Sequence, residues 1–269
     1  MNKPISVIIP TYNRSYCIKR AVESVLEQTY HVQEIIIADD CSQDNTEEVV
    51  RQIDDPRIRY CRLPENRGAG GARNFGVEKA QYDLIAFHDS DDEWAADKIE
   101  KQMAHWEQHP DCGMIYCAFD VLLPDQTHCV IPDLNGDRKL EGNILPELLF
   151  ENSIDTPTML LKKQIFYEVG GFDEAMHSLE DWDFAIRVAR KYPIGFVPEV
   201  LLKSIYTVGG VSSNKSAFYQ SRCYMLRKYR TEYLENDLFD KTVESILCRA
   251  DSDNLLPQVS KLIMLYISS

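Results

Sequence analysis

Three short apolar runs constrain the fold of this chain more than any other feature. They are "SVIIP" (Ser6 to Pro10), "EIIIA" (Glu34 to Ala38) and "DLIAF" (Asp83 to Phe87). Each is too short for a stable helix. Uninterrupted aliphatic runs of this length mark strands covered on both faces, as in a parallel sheet. A further segment, "RIRYCRL" (Arg57 to Leu63), alternates more, as an edge or less buried strand does. Helical patterns lie between them. Ile18, Ala21, Val22, Val25 and Leu26 share one helical face, "SQDNTEEVVRQI" opens with capping residues, and Asn74 to Ala80 continues the series. The order β-α-β-α-β-α-β over residues 1–92 predicts an α/β fold with a mostly parallel sheet flanked by helices.

The pattern continues with a helix from about Ala95 to His109, stopped before Pro110. A strand is expected at Gly113 to Leu123, a polar surface loop at Pro124 to Gly142, and a strand at Thr158 to Lys162. A short helix should end at Gly170-Gly171, and residues from about Asn214 onward turn helical. The expected organisation is one domain over residues 1–212 and a C-terminal helical extension over 213–269.

Composition excludes several classes. The 269 residues carry 29 Lys and Arg against 43 Asp and Glu, a net charge of −14. That balance argues against nonspecific nucleic-acid binding or a polybasic membrane clamp. It also requires that any bound anion be held locally, by a metal or by a few placed arginines. No apolar run is long enough to span a bilayer, and the N-terminus enters a strand without the apolar segment of a signal peptide. The 8 cysteines form no CxxC pair, so they are read as reduced thiols rather than a zinc site or disulfide framework. The expected location is cytoplasmic, at most peripheral to a membrane. The apolar tail "LLPQVSKLIMLYISS" (Leu255 to Ser269) is expected in core packing or in a homo-oligomer interface through the C-terminal helices.

In an open parallel sheet, ligands collect beyond the carboxyl ends of the strands. Pro10-Thr11-Tyr12-Asn13-Arg14 follows the first run, Asp39-Asp40-Cys41-Ser42 the second, "ENRGAGGARN" the alternating segment and Asp89-Ser90-Asp91-Asp92 the last. An aromatic beside a carboxylate can hold a base, and arginines with a metal can hold phosphates. Together they describe a nucleotide-diphosphate site. Each piece also has a structural reading. Asp39 to Ser42 can be turn and N-cap chemistry. The glycine-rich stretch has Arg73 where a third glycine would complete GxGxxG, and no Lys-Ser/Thr pair follows, so the dinucleotide and Walker patterns both fail. Asp89 to Asp92 can be a solvated turn, with Asp92 and Glu93 capping the next helix. Strand alternation points His88 away from Asp89, as a packing residue or a support behind a metal ligand.

"SVIIPTYNR", "ADDCSQDNT", "NRGAGGARNFG" and "DSDD", followed by "GGFDE" (Gly170 to Glu174) and "LEDWDFAIRV" (Leu179 to Val188), resemble family 2 glycosyltransferases of the GT-A fold. The resemblance covers roughly residues 4–212. It implies a nucleotide-binding half over 1–95 and an acceptor half over 96–212, and a metal-dependent, inverting transfer of a sugar from a nucleotide sugar. By position, Pro10, Thr11, Tyr12 and Asp40 would line the base pocket, with Asp40 accepting the imide proton of uracil. Arg14, Arg67 and Arg73 would face ribose or phosphates, with Asp89 and Ser90 near the ribose. Asp91 would ligate Mn²⁺ or Mg²⁺. Asp181 would be the catalytic base, with Glu180 and Trp182 on the acceptor side. The structural alternative makes Glu180 and Asp181 helix-start acids with Ser178 as N-cap, and a base there would keep a low pKa.

The resemblance further implies a UDP-hexose donor and a glycan, lipid-linked or protein-linked acceptor. There is no Q/RxxRW motif, so a single-addition enzyme is expected. The late stretch "YTVGGVSSN" (Tyr206 to Asn214) lacks the histidine that completes the metal shell in many relatives. The alternative function is a non-catalytic nucleotide-sugar-binding subunit of a glycosylation complex. A sugar nucleotidyltransferase would need a Gly- and Lys-rich signature near the N-terminus, and none is present.

Overall fold

The computed structural model describes residues 3–123, 125–205 and 214–267. The aliphatic runs form β1 (Ile5–Thr11), β2 (Glu34–Asp39) and, after β3 (Ile58–Arg62), β4 (Leu84–Phe87). The residues of β1, β2 and β4 are all buried, because helices cover both faces of the sheet there. β3 is half-buried at the sheet edge, as its alternation predicts. The intervening helices are α1 (Ile18–Leu26), α2 (Thr46–Arg51) and α3 (Gly68–Lys79). α3 packs closely on β1: a Cβ at Gly76 would come within 2.4 Å of Ile8 Cγ2. Glycine at that position therefore serves helix–sheet contact.

Beyond β4 the chain changes character. β5 (Glu93–Trp94) is a two-residue strand where a helix cap was expected, and α4 (Lys98–Gln108) starts three residues later than Ala95. β6 (Met114–Leu122) leads into β7 (His128–Ile131). The segment expected as an irregular loop thus contains a strand, which pairs antiparallel with Phe119 to Leu122 of β6. α5 (Leu145–Phe150), a 3₁₀ turn (Thr156–Thr158), β8 (Leu160–Lys162), α6 (Lys163–Glu168) and α7 (Glu180–Ala189) follow, then the 12-residue β9 (Ile194–Ile205).

The nine-stranded sheet has the order β3-β2-β1-β4-β8-β6-β9-β5, with β7 beside β6. Pairing is parallel among β3, β2, β1 and β4 and between β6 and β9. It is antiparallel at β4–β8, β8–β6, β6–β7 and β9–β5. The sheet is therefore parallel in its first half and mixed in its second.

α8 (Lys215–Lys228), α9 (Arg230–Glu235), α10 (Phe239–Ser252) and α11 (Leu256–Ile267) complete the described chain. Asn214 caps α8 by accepting the Ala217 N–H at 3.1 Å. These helices share one continuous apolar core with the sheet, which takes in Tyr219, Tyr229, Tyr233, Ile246, Val259 and Ile263. The Tyr233 hydroxyl donates to the Leu149 carbonyl at 2.8 Å, and that of Tyr229 to Asp183 Oδ1 at 2.6 Å, so α8 and α9 are stitched to α5 and α7.

Candidate active site

A cavity of about 720 Å³ opens beyond the carboxyl ends of β1, β2 and β4. One wall comes from the ends of β1 and β2. Asn13 and Cys41 both adopt positive φ, 54° and 73°, and turn the chain sharply there. The two turns are tied together: Asn13 N–H donates to Ser42 Oγ at 2.9 Å, and Gln43 N–H to Asn13 Oδ1 at 2.7 Å. Pro10, Thr11, Tyr12, Arg14 and Asp40 all line the cavity. Tyr12 is 45% exposed at its mouth, which leaves a ring face available. Thr11 is buried and its Oγ1 has no hydrogen-bond partner.

Asp40 is committed to the start of α3. Its two carboxylate oxygens accept the backbone N–H groups of Arg67 (2.7 Å) and Gly68 (2.8 Å). Two of the unpaired donors at a helix N-terminus are thereby satisfied. Burial nonetheless raises its pKa, against the pull of these N–H groups. Each oxygen keeps a second lone pair, so Asp40 can still accept from a ligand.

The second wall is acidic. Asp89, Ser90, Asp91 and Asp92 follow β4, Asp155 precedes the 3₁₀ turn, and Glu180 and Asp181 open α7; all line the cavity. Arg73, buried on α3, is the internal counter-charge. It donates to Glu180 Oε1 at 2.7 Å and to Asp89 Oδ1 at 2.8 Å. Burial works against its charge, but Asp89 and Glu180 outweigh this and raise its pKa. Its Nε is buried without a partner. Asp91 lies 3.6 Å from the Arg14 guanidinium, and the Asp91 carbonyl accepts from Arg20 at 2.5 Å.

The remaining carboxyls are held high. Burial, then repulsion from Asp89, Asp155 and Asp91, keeps Asp92 well above the usual carboxylate range. Burial, then Asp181 and Asp89, does the same to Asp155. Asp181 is pushed up to about 7 by burial and then by Glu180, against the Trp182 backbone N–H, Arg73 and Asn152. A low pKa from the helix start is therefore overturned: desolvation and crowding exceed the dipole. Asn152 Nδ2 donates to Asp181 Oδ2 at 3.1 Å and orients it. Leu179, at φ 62°, occupies the capping position of α7 and turns the chain so that Glu180 and Asp181 reach the cavity; the Ser178 side chain makes no cap there.

Two expected site residues are elsewhere. Arg67 is not in the cavity wall. Its guanidinium pairs with Glu174 at 2.5 and 3.1 Å, because its backbone, not its side chain, is what Asp40 holds. Trp182 is 5% exposed and belongs to the core, with its indole N–H on the Leu148 carbonyl and Arg222 stacked 4.1 Å from its ring. An acceptor contact for Trp182 is thus replaced by a packing role. His88 is fully buried beside Trp94 and 3.2 Å from Ser24 Oγ, and burial holds its pKa well below the ordinary value, so it is a neutral packing residue. The sequence reading also missed Asp155, Phe218 of α8 and Arg249 of α10, all in the cavity wall. Only the "Asp-Thr-Pro" turn signal hinted at Asp155, and it reads as a cap. The stretch Tyr206 to Asn214 lies outside the described residues, apart from Asn214.

A sheet with a nucleotide-sized cleft at its strand ends and a carboxylate cluster in it defines the GT-A class of fold. Residues 6–167 match the family described as Glycosyl transferase family 2, and the chain belongs to this family of sugar-transferring enzymes. It is 41% identical over 125 residues to a putative teichuronic acid biosynthesis glycosyltransferase, TuaG, of Bacillus subtilis, covering 46% of this chain and 49% of that one. It is 42% identical over 100 residues to the Escherichia coli UDP-Glc:alpha-D-GlcNAc-diphosphoundecaprenol beta-1,3-glucosyltransferase WfgD, covering 37% and 40%. The matches thus span roughly half the length of these relatives.

Among solved structures, TarS 1-349 of S. aureus in complex with UDP-GlcNAc superposes with a TM-score of 0.73 at 20% identity, covering 92% of this chain and 72% of that one. A mannosyltransferase of Pyrobaculum calidifontis in complex with GDP-Man and Mn²⁺ gives 0.68 at 19% identity, covering 98% and 79%. Among the described residues no helix is long and apolar enough to cross a membrane.

Proposed function

We propose that this chain is an inverting, non-processive glycosyltransferase that moves a hexose from a UDP-sugar to a hydroxyl of a glycan, lipid-linked or protein-linked acceptor. One observation carries the reading: Asp91, in the turn after β4, and Asp181, at the start of α7, line the same cavity, one beside an arginine and the other half-buried with a raised pKa. The donor base rests on WfgD, described with UDP-Glc, and TarS, solved with UDP-GlcNAc; the GDP-Man complex of the mannosyltransferase makes guanosine the alternative to test. WfgD forms a beta linkage from UDP-Glc, whose donor bond is alpha, which is net inversion.

The residues fit a hard divalent cation, Mn²⁺ or Mg²⁺. Asp91 offers carboxylate oxygen to the cavity beside Arg14, and Asp92 and Asp155 are crowded acids whose mutual repulsion added positive charge would relieve. Held by Asp91 and by donor phosphate oxygens, the cation would neutralise charge on the leaving diphosphate. The protein's own residues do the rest. Pro10, Thr11 and Tyr12 receive the base, with the unpartnered Thr11 hydroxyl available to it. Arg73 fixes Asp89 on the ribose side and Glu180 on the acceptor side. Asp181, oriented by Asn152, accepts the proton of the attacking hydroxyl. The new C1–O bond forms as the bond to the diphosphate breaks, and the diphosphate leaves with that electron pair. A carboxylate poised near 7 is a stronger base than an exposed one and remains ionised at neutral pH in useful proportion.

Calorimetry with UDP and GDP, with and without Mn²⁺, followed by turnover of the matching sugar nucleotides, tests the reading. Asp91→Ala should lose metal-dependent binding. Wild-type affinity and metal dependence in that variant would overturn the assignment.

A further inference from the structure

At the opposite end of β6 and β9 from the cavity, three side chains converge that transfer does not use. His105 and His109 stand one turn apart at the end of α4, where the His109 N–H still bonds the His105 carbonyl at 3.0 Å. Their rings stack with centroids 4.5 Å apart. Both Nε2 atoms face one oxygen of Glu141, at 2.8 Å and 3.9 Å. One ligand atom from each residue lies within 4.8 Å of the other two.

The positions are fixed by rigid neighbours. Gly142 and Ile194 exchange backbone hydrogen bonds of 2.7 and 2.9 Å, which pins Glu141 to the start of β9. Gly195 leaves room for the His105 ring: a Cβ there would lie 3.0 Å from Cδ2 and 3.1 Å from Nε2. Two imidazoles and a carboxylate this close offer three ligand atoms to one ion and would leave a further position open. His109 and Glu141 line a shallow depression on that side, so water can reach the open position. The i,i+4 histidine pair on one helix face is a spacing suited to one metal ion.

We propose that His105, His109 and Glu141 bind a borderline first-row transition-metal ion of the Zn²⁺ type, separate from the hard-cation site in the cavity. Imidazole selects Zn²⁺, Co²⁺ or Ni²⁺ over Mg²⁺. The ion would take the place of the direct contact between His105 Nε2 and Glu141. It would clip the segment before α5 to α4 and β9, and so stabilise the folded chain by binding it alone.

The test uses the full chain carrying Asp91→Ala, which silences the cavity as a competing site. Equilibrium dialysis with Zn²⁺ and absorption titration with Co²⁺ should both show a single tight ion, undisturbed by excess Mg²⁺. Adding His109→Ala or Glu141→Gln should weaken it at least about tenfold, since even the partners of metal ligands matter to that extent. His109 is exposed and Glu141 half-exposed, so these variants should fold. Zn²⁺ should raise the melting temperature of the Asp91→Ala chain and leave that of the His109→Ala double variant unmoved. Equal Zn²⁺ uptake with and without His109 and Glu141, or no uptake at all, would overturn the proposal. His109→Ala alone should bind UDP and Mn²⁺ as the native chain does, which separates this result from any failure in the cavity.

Discussion

At the end of β2 and in the loop that follows it, Asp39 accepts from the Ser42 N–H and the Tyr60 hydroxyl, each at 2.6 Å, and Asp44 from the Thr46 and Ser15 N–H groups at 3.0 and 3.1 Å. Across the cavity, Asp92, Asp155 and Asp181 repel one another and Asp89 or Glu180. The pKa values follow. Burial would raise Asp44, but hydrogen bonds from Thr46 and Ser15 outweigh it and lower it to about 2. Asp181 moves the other way, to about 7. Acids of the first kind hold loops in shape. Acids of the second kind store repulsion that a cation, a proton or a substrate would relieve. That difference separates framework from chemistry better than position along the chain does.

The largest test of this contrast is Asp181→Asn. The amide keeps the size and the Asn152 side of the contact but cannot take a proton at neutral pH. Transfer measured in a single turnover should fall by about 10²–10⁴. UDP–Mn²⁺ affinity should stay within a few fold, because the nucleotide wall is built on other strand ends. Near-normal transfer would place Asp181 with the framework acids and make Glu180 the next candidate base.

Stability against pH sharpens the same contrast. A carboxyl at about 7 in the folded chain and near 4 unfolded binds its proton more tightly when folded. The folded state therefore loses stability as pH rises from about 4 to about 7, and the loss is complete above that. In metal-free buffer, urea midpoints should show Asp181→Asn more stable than the native chain at pH 8, with the advantage vanishing toward pH 4. Glu180→Gln should move the acid limb of the transfer rate to lower pH, since Glu180 opposes the charge on Asp181. An unmoved limb would break the coupling between the two acids.

Legibility in the sequence follows the same division. β1, β2, β4 and α1 were readable because each is a local apolar pattern that the tertiary fold leaves alone. β9 was not, since Pro198 and Glu199 interrupt it, and the register with β6 shifts there between Cys117 and Ala118. A bulge absorbs the extra residues, which no periodicity announces. α5, a six-residue helix, is too short for a helical period to stand out. In the cavity, motif positions such as Asp40, Arg73, Asp91 and Asp181 were legible from resemblance. Asp155 and Arg249 were not, because distant packing alone brings them there. Trp182 and Arg67 sit within matching motifs, yet their side chains turn to the core and to Glu174.

Asp40 is the intermediate case, since it caps α3 and also faces the cavity. Asp40→Asn replaces one acceptor oxygen by a donor that opposes a backbone N–H. It should cost about 1–3 kcal/mol of unfolding free energy, the penalty for an unmade buried hydrogen bond. If Asp40 also receives the uracil imide, UDP binding should weaken more than GDP binding in the same variant. Equal losses for both nucleotides would leave Asp40 as a cap alone.

The smallest expected effect concerns Arg67. Its side chain is partly exposed and paired with Glu174, which also accepts from Asn74 at 2.9 Å. An exposed pair of this kind contributes about 0–1 kcal/mol. Arg67→Ala should therefore shift the urea midpoint only slightly, because Asp40 bonds the backbone at this position and the substitution leaves that intact. UDP–Mn²⁺ affinity and its salt dependence should remain those of the native chain, since no guanidinium leaves the phosphate site. A marked fall in affinity, steeper at low ionic strength, would mean that Arg67 exchanges Glu174 for the donor phosphates on binding. The first wall of the cavity would then rearrange around its ligand, and the contrast between fixed framework and responsive acids would no longer hold.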